Sequence, residues 1–198
     1  MLDTGIASHL ISIFLAALRL APALAFAQPF ALVRIPIILR VALSLVLASV
    51  MVQAAGPAPL SAALPPDGLL ALMASELLIG IIVALCLQAA FAAVLVAGRA
   101  IDIQAGFGLA LLVDPASRGQ MPLVGTIFAY LTAAVFFATG GMNELLGVWA
   151  MSFRVIPPGS LIGWIDVMAM AGHLSSVFFV ALGLAGTVLL TLFLIDLV

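Results

Sequence analysis

Five apolar runs dominate this chain, each about the length that crosses a bilayer. A transmembrane helix needs roughly 20 predominantly apolar residues. Candidate segments cover residues 9–28, 36–55, 68–97, 122–140 and 167–198. The third and fifth are long enough to tilt or to project beyond the hydrocarbon. The fourth can run on toward Trp149. Backbone groups in hydrocarbon must be satisfied within the segment or in a closed barrel. No barrel-like alternation is visible, so the runs predict helices. The expected fold is an all-α polytopic membrane protein forming one membrane domain over residues 1–198.

The rest of the composition agrees. Of the 198 residues, 66% are hydrophobic and 7% charged, and mean hydropathy is +1.42. A soluble domain carries about 25% charged residues, so this chain has too few to cover a water-facing surface. All six basic residues are arginines. Without lysine there is no Schiff base and no P-loop. No basic stripe offers a nucleic-acid footprint. The single Cys86 excludes an internal disulfide and a multi-cysteine metal site, and its apolar context fits a small buried side chain. The start, MLDTGIASHL, has an acid and no basic residue before the apolar run. A cleaved leader has a positive n-region, so this start reads as a retained first helix.

Prolines and glycines punctuate the runs. QPFALVRIP (28–36) reads as a tight turn between two prolines. GPAPLSAALPPDG (56–68) cannot be continuous helix. FRVIPPGSLIG (153–163) is a third break. Arg34 and Arg40 flank the first connection, and Arg99 and Arg118 the third. By the positive-inside rule these connections face the cytoplasm and the N-terminus lies outside. Arg154 falls on the wrong side of that scheme.

Two charges, Arg19 and Glu76, sit within apolar runs. Each costs roughly 2.5–3.5 kcal/mol at a helix centre on insertion scales, so each is expected to face protein or water. Three readings stand: a proton or ion relay, a buried helix–helix pair, or a residue close enough to the interface to snorkel. Arg99 and Asp102, three apart on a helix, can pair with each other. Ala89, Ala93 and Ala97 recur every four residues, a spacing that lets helices pack closely. Neither histidine has a partner nearby in sequence, and no nucleophile, metal or nucleotide motif is present. The chain therefore predicts neither an enzyme nor a cofactor or metal.

The stretch DIQAGFGLALLVDPASRGQMP (102–122) interrupts two apolar runs. Gly106 and Gly108 flank Phe107 with permissive backbone. The following LALLV is apolar and too short to span. Asp114 caps and Pro115 opens a short helix, on which Asp114 and Arg118 are four apart and can pair. A non-spanning apolar segment at membrane depth must be buried in protein or line a cavity. A re-entrant loop or a plug fits that physics; the alternative is a surface loop that partly dips into headgroups.

IDIQAGFGLALLVDPASRGQMPLVG (101–125) resembles the signature block of the FliR family, the R subunit of the flagellar type III export gate and its virulence-system counterparts. Three further blocks agree in order: RLAPALAFAQPFALVRIPIILRVALSLVLA (19–48), ELLIGIIVALCLQAAFAAVLVAG (76–98) and FRVIPPG (153–159). The resemblance implies a non-enzymatic component of a protein export channel in the bacterial inner membrane, at the flagellar basal body. It implies the P and Q gate subunits, the B-type switch component of the export apparatus, exported proteins and membrane lipid as partners. It also implies a pore plug of Gly106, Phe107, Gly108, Leu109, Ala110, Leu111, Leu112 and Val113, anchored by Asp114, Pro115 and Arg118. The family's C-terminal helix pair is expected to be missing here, since the chain stops at LIDLV. A virulence-system subunit and a small solute transporter are the alternatives.

Overall fold

The computed structural model describes residues 2–33, 35–55, 66–106, 123–160 and 167–197. Its described residues are predominantly helical, and no strand occurs among them. Among the described residues, six α-helices follow in order: α1 (Leu2–Phe26), α2 (Ile37–Ala55), α3 (Pro66–Gln104), α4 (Leu123–Ala138), α5 (Gly141–Val155) and α6 (Val167–Asp196). Four of them are long and apolar enough to cross a membrane, or five spans if the broken pair α4 and α5 counts as one. The protein is therefore an all-α polytopic membrane protein.

The five expected segments map onto these helices with three differences, the first being that α3 runs past its apolar run to Gln104 rather than ending at residue 97. α1 begins seven residues earlier than its apolar run, because helical hydrogen bonding continues through the polar start. The fourth run does not continue toward Trp149. It ends at Ala138, and Gly140 adopts φ +83 before α5 begins. That left-handed conformation suits glycine and stops a helix. α3 is the longest element, 39 residues, or roughly 58 Å at 1.5 Å per residue. That is nearly twice the roughly 30 Å of hydrocarbon in a bilayer.

The chain divides into two compact units, residues 1–87 with 140–165, and residues 88–139 with 166–198. In the first, α1 and α2 form a hairpin closed by a 3-10 turn at Phe30–Leu32. Arg40 ties this turn down. Its Nε donates to Ile35 O at 3.2 Å, and its Nη2 to Phe30 O at 3.3 Å and Val33 O at 3.0 Å. Its Nη1 donates to Ala25 O. The last carbonyls of a helix lack intrahelical donors, and a basic side chain can supply them. Arg40 thus works as a C-terminal cap for α1; Arg34 lies outside the described residues. The core of this unit gathers Ala16, Leu20, Ala23 and Leu24 of α1, Ala48 and Val52 of α2, Ala84 of α3, and Leu145, Trp149 and Phe153 of α5. The α5 residues are four apart, so they line one face.

In the second unit, the end of α3 packs against α4. Phe91 meets Phe136 edge-on, ring centroids 6.4 Å apart. Asp102 is buried and does not pair with Arg99, which is exposed. Its carboxylate accepts instead from Val124 N–H at 3.0 Å and Gly125 N–H at 3.3 Å, at the start of α4. The alanine spacing also finds a counterpart. Ala89, Ala93 and Ala97 line one wall of an apolar groove of about 440 Å³, with Phe178, Ala181 and Ala185 of α6 on the other.

Candidate functional site

Three helices of the first unit meet at one charge. Arg19 sits on the buried stripe of α1, one turn after Leu15 and Ala16, and its side chain is fully buried. Its Nε donates to Glu76 Oε2 at 2.7 Å. Its Nη1 donates to Ser152 Oγ and to Ile156 O, each at 2.9 Å. The guanidinium carbon lies 4.6 Å from the centroid of the Phe153 ring, a cation–π distance. Ser152, Phe153 and Ile156 come from the last turn of α5 and its C-cap. One side chain of α1 therefore bonds to α3 and to the end of α5. Donating to Ile156 O also satisfies a carbonyl left open by the end of that helix.

Glu76 is equally buried and equally occupied. Its second oxygen, Oε1, accepts from Gly159 N–H at 3.0 Å. Gly159 belongs to the turn Pro157–Pro158–Gly159–Ser160, closed by Ser160 N–H to Pro157 O at 3.1 Å. Gly159 has φ +85. Proline followed by a left-handed glycine at the two central positions is the pattern of a type II turn. The neighbouring Ser75 adds a contact from its Oγ to Ser160 O at 3.4 Å. Sequence thus folds the PPG turn locally, and α3 grips it through Ser75 and Glu76.

Close packing makes the meeting possible. A Cβ at Gly80 would run into Arg19 O and lie 3.0 Å from Pro22 Cδ. Pro22 sits inside α1, where its ring removes a backbone donor. Glycine on α3 lets the two backbones approach at that point. The approach brings Arg19 within reach of Glu76, one turn of α3 before Gly80.

Chemically, the cluster is a neutral, hydrogen-bonded pair shielded from solvent. Separating two charges from water costs several kcal/mol per ion, and mutual attraction repays this when the geometry is good and the remaining atoms are bonded. Both oxygens of Glu76 have donors. Among the described residues, Nη2 of Arg19 and Nε1 of Trp149 are buried donors without an acceptor. No group of three or more potential metal ligands occurs among the described residues. The geometry is that of a cross-brace between helices.

Sequence reasoning singled out Arg19 and Glu76 but not what surrounds them. Ser152 and the Ile156 carbonyl carry no signal by themselves. FRVIPPG marked a break in the chain, and its glycine proves to be the donor to Glu76. Of the plug stretch, only Gly106 lies within the described residues. It terminates α3 with φ +79, its N–H bonded to Ile103 O at 3.1 Å, and is exposed. Phe107, Gly108, Leu109, Ala110, Leu111, Leu112, Val113, Asp114, Pro115 and Arg118 lie outside the described residues.

Known proteins share parts of this sequence. The chain is 36% identical over 88 residues to the flagellar biosynthetic protein FliR of Escherichia coli, covering 44% of this chain and 34% of that protein. It is 31% identical over 128 residues to FliR of Bacillus subtilis, covering 62% and 49%. It is 29% identical over 90 residues to the secretion system apparatus protein SsaT of Salmonella typhimurium, covering 46% and 35%. These matches span about a third to a half of the relatives' lengths. The profile of the bacterial export proteins, family 1, matches residues 10–198. That range takes in Arg19, Glu76, the PPG turn and the stretch from Asp102 to Pro122, and the chain belongs to this family of bacterial export proteins.

Proposed function

We propose that this chain is a membrane subunit of a type III protein export gate of the flagellar kind, in the bacterial inner membrane at the flagellar basal body. The observation that carries this reading is the family match over residues 10–198, with flagellar FliR proteins among the relatives. The role is non-enzymatic: the subunit gives exported proteins a path. Its partners are the P and Q gate subunits, the B-type switch component and membrane lipid. The test is co-expression of the tagged chain with the P and Q subunits of the same organism, followed by detergent extraction and native mass measurement. One defined complex of all three is the expected result. Recovery of the chain alone, monodisperse, would sink the proposal.

Within the gate, residues 106–113 form the pore plug, anchored by Asp114, Pro115 and Arg118. Gly106 supports this reading, since its left-handed conformation stops α3 where the stretch begins. Replacing residues 106–111 with a short polar linker should raise the ion leak of cells producing the complete gate. Unchanged leak and unchanged export would remove the plug.

A second reading is favoured by the likeness to SsaT, under which the gate serves a virulence secretion system. Deleting the gene in its host separates the two. Loss of motility supports the flagellar role. Intact motility with lost secretion of effector proteins supports the other.

A further inference from the structure

The C-terminal part of α3 has two working faces. On one, Gly98 and Asp102 meet α4. A Cβ at Gly98 would run into the Cα of Gly125, so the two helices cross backbone to backbone. Asp102 accepts from the first amides of α4. Val96 and Ala100, two positions either side of Gly98, lie on the opposite face. There they line the apolar groove of about 440 Å³ whose other wall is α6. Every lining side chain is Ala, Val, Leu or Phe. The volume falls within the roughly 300–1,000 Å³ of small-molecule sites.

The groove has the length of one leaflet. From Ala89 to Ala100 the α3 wall runs about 16 Å at 1.5 Å per residue, and half of a bilayer's hydrocarbon is about 15 Å. One charge stands at its end. Arg99 is three residues beyond Val96 and seven beyond Ala92, so it shares their stripe. It is exposed, and it makes no ion pair or hydrogen bond among the described residues. Asp102, the acid nearest in sequence, is committed to α4. An arginine lays its stem along apolar surface and keeps its head at the polar boundary, and a guanidinium matches the oxygens of a phosphate. A hydrocarbon chain with an anionic head at one end satisfies both parts. The lining holds no carboxylate to meet an ammonium-bearing headgroup. A helix seated here would have to bring an acid of its own to the level of Arg99, where a phospholipid already carries its phosphate.

We propose that the groove between α3 and α6 seats an acyl chain of an anionic phospholipid, with the phosphate on the Arg99 guanidinium. This narrows the general lipid contact of the proposed function to one place and one headgroup class. It needs a bilayer and no export partner. Basic pockets between membrane helices bind anionic headgroups on the same physics.

The test exposes the full chain, purified in detergent, to phosphatidylglycerol or to phosphatidylcholine with the same acyl chains. Native mass measurement reads the lipid retained. Phosphatidylglycerol should be retained about five-fold more, the scale of one arginine at an anionic headgroup. Arg99→Gln should abolish that preference. Arg154→Gln, at an exposed arginine of α5, should keep it. Ala92→Phe fills the groove from a half-buried position and should lower retention of both lipids. Equal retention of the two lipids by the parent, a preference that survives Arg99→Gln, or retention indifferent to Ala92→Phe would overturn the site. Phe178→p-benzoylphenylalanine, at an exposed position of the α6 wall, gives the answer should those variants fail to fold. Irradiated in cell membranes, it should join to phospholipid. Capture of a second copy or of another protein chain instead would overturn the proposal, the groove then being a subunit seat.

Discussion

Nε of Arg19 and Oε2 of Glu76 lie 2.7 Å apart with both side chains fully buried. The two residues are 57 positions apart in sequence. Their meeting joins α1 to α3, and each carries a further bond to the end of α5 or the turn after it. A charge on either helix alone would oppose insertion. Together they form a polar knot that fixes which helices neighbour which.

Breaking the pair by removing one partner should cost far more than removing both. Glu76→Ala or Arg19→Ala leaves a buried, uncompensated charge, with an expected loss of about 3–5 kcal/mol. The double change Arg19→Met with Glu76→Met should recover most of that loss, because a packed apolar pair often matches a buried ion pair. Thermal unfolding of the purified protein in detergent, run as a double-mutant cycle, measures both. Additive losses would show that the pair is not coupled.

Gly80→Ala and Gly147→Ala should differ in sign. The added methyl at position 80 meets the backbone of α1 at Arg19 and the ring of Pro22. Overpacking of this kind costs roughly 1–3 kcal/mol. At Gly147, in α5, a Cβ meets nothing within 4 Å. Alanine is about 1 kcal/mol better than glycine in a helix interior, so that variant should be neutral or more stable. Melting temperatures of the two variants decide the matter.

Gly159→Ala should destabilise by about 1–2 kcal/mol, since any L side chain is strained at φ +85. Its effect should shrink markedly in the Arg19→Met with Glu76→Met background, which has no acceptor for Gly159 N–H. The reason is that Gly159 N–H donates to Glu76 Oε1, so a shifted turn costs less once the carboxylate is gone. Denaturant titration of the four proteins in the cycle reads the coupling directly.

Arg40→Lys should not be conservative. The guanidinium fork serves the carbonyls of Phe30, Val33 and Ile35 as well as Ala25. An ammonium is a compact donor without that planar reach. A loss of about 1–2 kcal/mol is expected, consistent with charge-assisted hydrogen bonds at a partly exposed site. Limited proteolysis should cut first near Phe30–Leu32 in the variant, and an unchanged cleavage pattern would argue against the capping role.

What the sequence determined by itself was local. Apolar runs of spanning length without barrel-like alternation dictated helices, because hydrocarbon leaves the backbone only helices or closed barrels. QPFALVRIP and FRVIPPG marked turns, because proline and glycine restrict or release φ at single residues. The expense of a charge in hydrocarbon singled out Arg19 and Glu76. The tertiary structure decided the partners. Three-residue spacing made Arg99 the natural neighbour of Asp102, yet the amides of α4 hold that carboxylate, because Gly98 and Gly125 bring the second helix close. The fourth run continued on paper toward Trp149 and was broken at Gly140, since one backbone angle outweighs an apolar pattern. Nothing in the order of residues shows that Arg19, Glu76, Ser152 and Gly159 converge. Those contacts span 57 to 137 positions, and only packed helices bring such distant groups within hydrogen-bond reach.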